Sequence, residues 1–256
     1  MLNGKTALVT GSTSGIGLGI ALALARQGAN LVLNGFGDTV APQAAVAALG
    51  GRVGYHGADM SRPAEIEAMM AYASQEFGSV DILVNNAGIQ HVALVEDFPR
   101  EKWDAIIAIN LSSAFHTTRL ALPAMKAKNW GRVVNIASAH GLVASAQKSA
   151  YVAAKHGIVG FTKAAALETA TSGVTVNAIC PGWVLTPLVQ KQIDDRAARE
   201  GISTDKARLD LLGEKQPSLQ FTTPEQLGEL TAFLCSAAAD NVRGVAWAVD
   251  GGWTAQ

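Results

Sequence analysis

Tyr151 and Lys155 stand four residues apart in the run Tyr151-Val152-Ala153-Ala154-Lys155. On a helix that spacing puts both side chains on one face, so an ammonium can sit beside a phenol. A free phenol, with a pKa near ~10, is a poor base at neutral pH, and lowering it by about three units takes roughly 4 kcal/mol of preferential stabilisation of the phenolate. One ammonium about 4 Å away, at an effective dielectric near ~20, contributes on that order. Such a pair can take a proton from an alcohol or return one to a carbonyl.

A second feature binds rather than reacts. Gly11-Ser12-Thr13-Ser14-Gly15-Ile16-Gly17 joins a short aliphatic run to an apolar helical stretch. Its glycines allow a tight turn and close approach of a pyrophosphate to the backbone, and a helix N-terminus adds unpaired N–H groups and a positive dipole end. About twenty residues on, where an acid commonly meets the ribose of NAD, the chain reads Asn34-Gly35-Phe36-Gly37-Asp38. No Lys or Arg occurs between Lys5 and Arg26, or between Arg26 and Arg52. A ribose 2′-phosphate would bring about two negative charges to loops without a cation, so the expected cofactor is NAD rather than NADP.

The elements that must position these groups alternate. Thr6–Thr10, Leu31–Asn34, Val53–His56, Ile82–Asn85, Val133–Ala137, Val174–Cys180 and Val245–Val249 read as strands bounded by Gly, Asn or Asp. Gly15–Gln27, Thr39–Leu49, Pro63–Phe77, Glu101–Lys128, Ala150–Ala170 and Pro224–Ser236 carry apolar residues at helical spacing. Strand and helix in alternation predict an α/β doubly wound parallel sheet, a Rossmann-type single domain over residues 1–256. Residues 188–219 break the rhythm with two amphipathic stretches, around Val189–Glu200 and Thr204–Glu214. An excursion at a strand's carboxyl end is expected to form a small helical lid.

Composition excludes several classes. The chain has 49% hydrophobic and only 16% charged residues, with a net charge of -1, which fits a large core and offers no basic face for nucleic acid. No stretch is long and apolar enough for a secretory signal or membrane span, so a cytoplasmic protein with no membrane partner is expected. Cys180 and Cys235 lack the spacing of a redox pair or metal knuckle, and no metal is expected.

Three further motifs follow in order: Asn85-Asn86-Ala87-Gly88 closes the fourth strand, Ser138 follows the fifth, and the Tyr151–Lys155 run opens the next helix. With the glycine loop, this ordered set closely resembles the short-chain dehydrogenase/reductase family, from Gly4 to Trp253. The likeness is nearest to the branch that interconverts 3-hydroxybutyrate and acetoacetate with NAD. It is carried by Asn34-Gly35-Phe36-Gly37, Asn86-Ala87-Gly88-Ile89-Gln90-His91, the run from Ala137 to Ser145, Cys180-Pro181-Gly182-Trp183-Val184, and Glu214-Lys215-Gln216-Pro217-Ser218.

The resemblance implies roles. Tyr151 would be the base, Ser138 would hydrogen-bond the substrate oxygen, Lys155 would also bind the nicotinamide ribose, and Asn110 would hold a relay water. NAD would lie along Gly11, Thr13, Ser14, Gly15, Ile16 and Gly17, with Phe36, Asp59 and Met60 toward the adenosine, and would also be contacted by Tyr151 beside Lys155. Asn86, Ala87 and Gly88 would line the cleft, and Pro181, Gly182, Val184 and Thr186 would grip the carboxamide. A small hydroxy acid would sit among Gln90, Ser138, His140, Lys148, Tyr151, Trp183 and Gln192, the last only when the lid closes, with Trp253 over the site. The ammonium, imidazole and amides of this set suit a carboxylate. The resemblance also implies a homotetramer, and the apolar Ala150–Ala170 stretch hints at a subunit interface. An NADPH-linked 3-oxoacyl thioester reductase, or a catalytically silent NAD-sensing protein on the same scaffold, remains open at this point.

Overall fold

The computed structural model describes residues 2–255. Strands β1 (Thr6–Val9), β2 (Asn30–Asn34), β3 (Val53–His56), β4 (Ile82–Asn85), β5 (Gly131–Ile136), β6 (Val174–Pro181) and β7 (Ala246–Val249) form one sheet in the order β3-β2-β1-β4-β5-β6-β7. Every neighbouring pair is parallel. The order reverses between β1 and β4, and ligands bind such sheets outside the carboxyl ends at that switch point.

Around the sheet lie α1 (Gly15–Arg26), α2 (Val40–Ala47), α3 (Pro63–Phe77), α4 (Arg100–Ile107), α5 (Ser113–Ala127), α6 (Ser149–Glu168), α7 (Pro187–Glu200), α8 (Thr204–Gly213) and α9 (Pro224–Leu234). Strand residues alternate between two cores. Ala7, Val9, Leu31, Leu33, Ile82 and Val84 pack with Ile20, Leu24 and Leu227 on one face. Leu8, Val32, Leu83 and Val133 pack with Ile66, Met69 and Met125 on the other. Burial on both faces explains why the strands read as unbroken aliphatic runs.

A buried polar chain fixes the helices that bear the chemistry. Asn85 and Asn135 are register partners on β4 and β5. Thr117 of α5 donates to Asn85 Oδ1 at 2.7 Å, Asn85 Nδ2 donates to Asn135 Oδ1 at 2.8 Å, and Asn135 Nδ2 donates to Thr162 Oγ1 of α6 at 2.8 Å. Losing one member would strand a buried partner at about 1–3 kcal/mol, so α6, which carries Tyr151 and Lys155, is held against the sheet.

Two details depart from the sequence reading. The stretch expected as one helix over Glu101–Lys128 is α4 and α5 joined by a π-turn at Ala108–Ser112. Buried positions at Ile106, Asn110, Ala114, Thr117, Ala121 and Met125 cross the joint at ordinary helical spacing, so periodicity could not reveal it. The lid stretches form α7 and α8, and α7 begins with the Thr186 side chain accepting the N–H of Val189. None of the described helices is long and apolar enough to cross a membrane. Among the described residues, no group of three or more His, Cys, Asp or Glu could hold a metal ion.

Candidate active site

The carboxyl ends of β1, β4, β5 and β6 surround a cavity of about 410 Å³. Gly11, Ser14, Gly15 and Ile16 line one end, Asn86, Ala87, Gly88 and Gln90 the side beyond β4, and Ser138, His140, Lys148, Tyr151 and Lys155 the floor. Pro181, Gly182, Trp183, Val184, Thr186 and Trp253 complete the wall. Four strand ends far apart in sequence thus deliver the candidate chemistry to one space.

The glycine loop suits a phosphate. Ser14 occupies the N-cap of α1 without a side-chain cap bond, so its hydroxyl leaves the N–H groups of the first turn unserved. Gly17 lies under the loop, where an added Cβ would stand 2.2 Å from the Gly11 carbonyl oxygen and 2.5 Å from Asn86 Nδ2. Asn86 itself is spent on structure, with Nδ2 donating to the carbonyls of Thr10 and Gly11 at 2.9 Å each. Gly17→Ala is therefore expected to lower the melting temperature, in line with an overpacking cost of about 1–3 kcal/mol, and to abolish dinucleotide binding. Calorimetry with titrated dinucleotide checks both, and unchanged affinity would refute the role given to this close approach.

At the reactive end, Ser138 follows β5 and its Oγ accepts the backbone N–H of His140 at 3.2 Å. The His140 ring bridges two hydroxyls, with Nδ1 3.4 Å from Ser138 Oγ and Nε2 3.0 Å from Ser145 Oγ. Lys155 is buried, donates to the Ile136 carbonyl at 2.8 Å and lies 5.6 Å from the Tyr151 ring centre. Burial pulls Lys155 down to about 8. Burial also raises the Tyr151 phenol, opposed by its hydrogen bond with Ser138. Desolvation of this buried phenol therefore acts against the downward pull expected from the Tyr-Lys spacing.

The far wall is cationic. Lys148 stands with its ammonium 5.7 Å from the Trp183 ring centre, and burial, then Lys215, lowers its pKa. Burial, then Lys148, pushes His140 down to about 4, so its imidazole is neutral at pH 7 and offers one N–H. Trp183 stacks on Trp253 at 6.4 Å, and the Trp183 indole N–H is buried without a partner among the described residues. An ammonium and an unmet donor in a semi-enclosed wall favour an anion.

Other expected residues lie outside this lining. Thr13 donates to the Phe36 carbonyl at 2.8 Å, and the Phe36 side chain is exposed. Asp59 Oδ1 accepts the N–H and hydroxyl of Ser61, which holds its pKa low, and Met60 is buried beside it. Gln192 is exposed on α7, away from the cavity. Asn110 sits in the π-turn with its amide committed at both ends to Ile89, accepting that N–H and donating to that carbonyl at 2.9 Å each. Asn34, at the place of the absent acid, is fully buried. It accepts the Gly11 N–H and donates to the carbonyls of His56 and Ala58, tying three strand ends together. The site residues read from the sequence leave out Ile89, Ile136, Ala137, Pro187, Leu188 and Val189 of the cavity lining, and Ser145 behind His140. Their signal was only adjacency to residues already singled out.

Comparison with known proteins identifies the family and the fold. A family model described as short chain dehydrogenase matches residues 5–197. The chain is 72% identical, over the whole of both chains, to a D-beta-hydroxybutyrate dehydrogenase of Cupriavidus necator. It is 58% identical to a protein of the same name from Rhizobium meliloti, over 98% of this chain and 99% of that one. Among solved structures, levodione reductase superposes with a TM-score of 0.91 at 32% identity, covering all of this chain and 99% of its own. An actinorhodin polyketide ketoreductase variant with NADPH gives 0.92 at 34% identity over all of both chains. With the family model matching residues 5–197 and relatives at 72% and 58% identity covered almost end to end, the chain belongs to the short-chain dehydrogenase family.

Proposed function

We propose that this protein interconverts (R)-3-hydroxybutyrate and acetoacetate, using NAD. The observation that carries the reading is the juxtaposition, in one cavity, of the Ser138, Tyr151 and Lys155 cluster with the ammonium of Lys148 and the neutral imidazole of His140. The likeness to two D-beta-hydroxybutyrate dehydrogenases supports it and disfavours a thioester reductase or a silent scaffold.

When bound, the oxidised nicotinamide supplies the hydride acceptor. The Tyr151 oxygen takes the proton of the substrate hydroxyl as hydride leaves the carbon, and returns it in the reverse direction. The Ser138 hydroxyl holds the same substrate oxygen as charge develops there. Lys155, the chain's own cation beside the phenol, favours the phenolate. Lys148, His140 and Gln90 receive the carboxylate, Trp183 and Trp253 cover the short carbon chain, and Gln192 reaches the acid when α7 swings inward. Asn110 acts first as a positioning residue, fixing Ile89 between Gly88 and Gln90.

The loops at residues 11–17 and 34–38 suit NAD. Among the described residues no Lys or Arg lies within them, and two hydroxyls, of Thr13 and Tyr55, grip the carbonyls of Phe36 and Gly35. Gly17, Asp59 and Met60 underlie the dinucleotide rather than line the open cavity. We assign the whole chain to one cytoplasmic domain acting as a homotetramer. The exposed Leu167 on α6 and Phe115 on α5, the latter packed edge-on to Phe161, favour subunit contact.

The test is the appearance of NADH absorbance when purified protein meets each enantiomer of 3-hydroxybutyrate with NAD, with NADP in parallel. Turnover is expected with the R enantiomer and NAD, and far weaker turnover with NADP. Protein inert to acetoacetate plus NADH would sink the proposal.

A further inference from the structure

The lid returns to the sheet through one buried side chain. Gln216, just beyond α8, is 1% exposed. Its Oε1 accepts the backbone N–H of Trp183 at 2.8 Å, its Nε2 donates to the Gln220 carbonyl, and its own N–H closes α8 on the Leu212 carbonyl at 2.7 Å. The chain then runs along the exit of β6. Thr222 donates to the Trp183 carbonyl at 3.0 Å, Leu185 donates to that of Thr222 at 3.1 Å, and Ser218 donates to that of Gly251 at 3.0 Å.

There is no spare room around this amide. A Cβ on Gly182 would stand 2.6 Å from Gln216 Oε1, and one on Gly251 would stand 2.6 Å from its Cγ. Those two glycines lead into Trp183 and Trp253, the indoles of the cavity wall, and Trp253 meets the His140 ring at 5.0 Å. The lid is joined to the same point from the other side, since Arg196 of α7 pairs with Glu214 at 2.7 Å. Leu188 and Val189 of α7 line the cavity. One carboxamide therefore sits where the lid's return, the Trp183 backbone and the C-terminal turn meet.

We infer that Gln216 is a positioning residue for substrate selection: by fixing Trp183 against the Gly251 turn, it sets how much room the acid's carbon chain finds. The inference rests on the proposed function. A wall held at three points rejects an added methylene, and a wall released at one of them yields to it.

The experiment compares wild type, Gln216→Met and Gln216→Glu on (R)-3-hydroxybutyrate and (R)-3-hydroxypentanoate. Gln216→Met keeps the packing volume and loses both hydrogen bonds. It is expected to raise KM for the shorter acid about tenfold, to leave KM for NAD within about twofold, and to bring the kcat/KM ratio of the two acids toward parity. Gln216→Glu keeps an acceptor for the Trp183 N–H but sets a carboxylate against the Gln220 carbonyl, so its KM excess should shrink as pH falls and the carboxyl protonates. A purely structural role would lower the melting temperature and the active fraction while moving neither KM nor the ratio, and that result overturns the inference. If Gln216→Met does not fold, a Gln216→Glu protein whose KM and ratio match wild type at every pH overturns it equally. Wild type inert toward both acids would overturn the functional reading, and this inference with it, whereas active wild type with unmoved variants overturns this inference alone.

Discussion

Tyr151→Phe is expected to lower turnover of (R)-3-hydroxybutyrate about 10²- to 10⁴-fold while NADH binding stays near wild type. The ring lies against His140 at 5.8 Å and against the Lys155 ammonium, so removing one oxygen keeps the packing and removes the proton acceptor. The pH profile of wild type carries a matching signature. Oxidation needs the phenol ionised, and burial raises its pKa, so kcat/KM for oxidation should climb as pH rises. Reduction needs the phenol protonated, so kcat/KM for acetoacetate should fall over the same range. Lys155, pulled down to about 8, is mostly an ammonium at neutral pH and favours the phenolate there. Replacing it with Met should move the oxidation limb to higher pH as well as lower its plateau. Opposed limbs in wild type and their joint loss in Tyr151→Phe are the outcomes to measure by initial rates. Turnover in Tyr151→Phe equal to wild type would remove Tyr151 from the mechanism.

What the sequence disclosed depended on whether a residue's task is local. Ser138, Tyr151 and Lys155 were legible because a strand end and a four-residue helical spacing place them, and the structure sets them in one cavity. The sheet was legible because both its faces are buried, which writes each strand as a short aliphatic run. Asn34 was not legible. An amide in place of an acid reads as a gap in ribose recognition, whereas its bonds to Gly11 just past β1 and to His56 and Ala58 at the end of β3 make it a tie between strand ends. Asn110 was expected to hold a relay water, and its bonds to Ile89 and the π-turn beneath it arise from tertiary contacts that periodicity does not record. The phenol's environment was half legible: the attraction of a neighbouring ammonium can be estimated from spacing, and the opposing desolvation cannot.

Lys148→Ala is the second large expected effect, and it separates recognition of the acid from the chemistry. Loss of a charged contact in a half-enclosed wall costs about 1.5–3 kcal/mol, which corresponds to a rise of about 10- to 150-fold in KM for 3-hydroxybutyrate if its carboxylate meets this ammonium. The methyl ester of 3-hydroxybutyrate lacks the anion, so its kcat/KM should barely change, and an equal loss on acid and ester would show that Lys148 supports the fold instead. The variant also changes what His140 can do. In wild type, burial first and the Lys148 charge second hold His140 at about 4. Removing the ammonium removes the second cause, so the imidazole takes up a proton at higher pH than before. The binding defect of Lys148→Ala should therefore shrink as pH falls from neutral toward 5, through a new imidazolium facing the carboxylate, and the double variant Lys148→Ala, His140→Ala should show no such recovery. Parallel pH dependence in the single and double variants would mean that the two residues do not face the same anion.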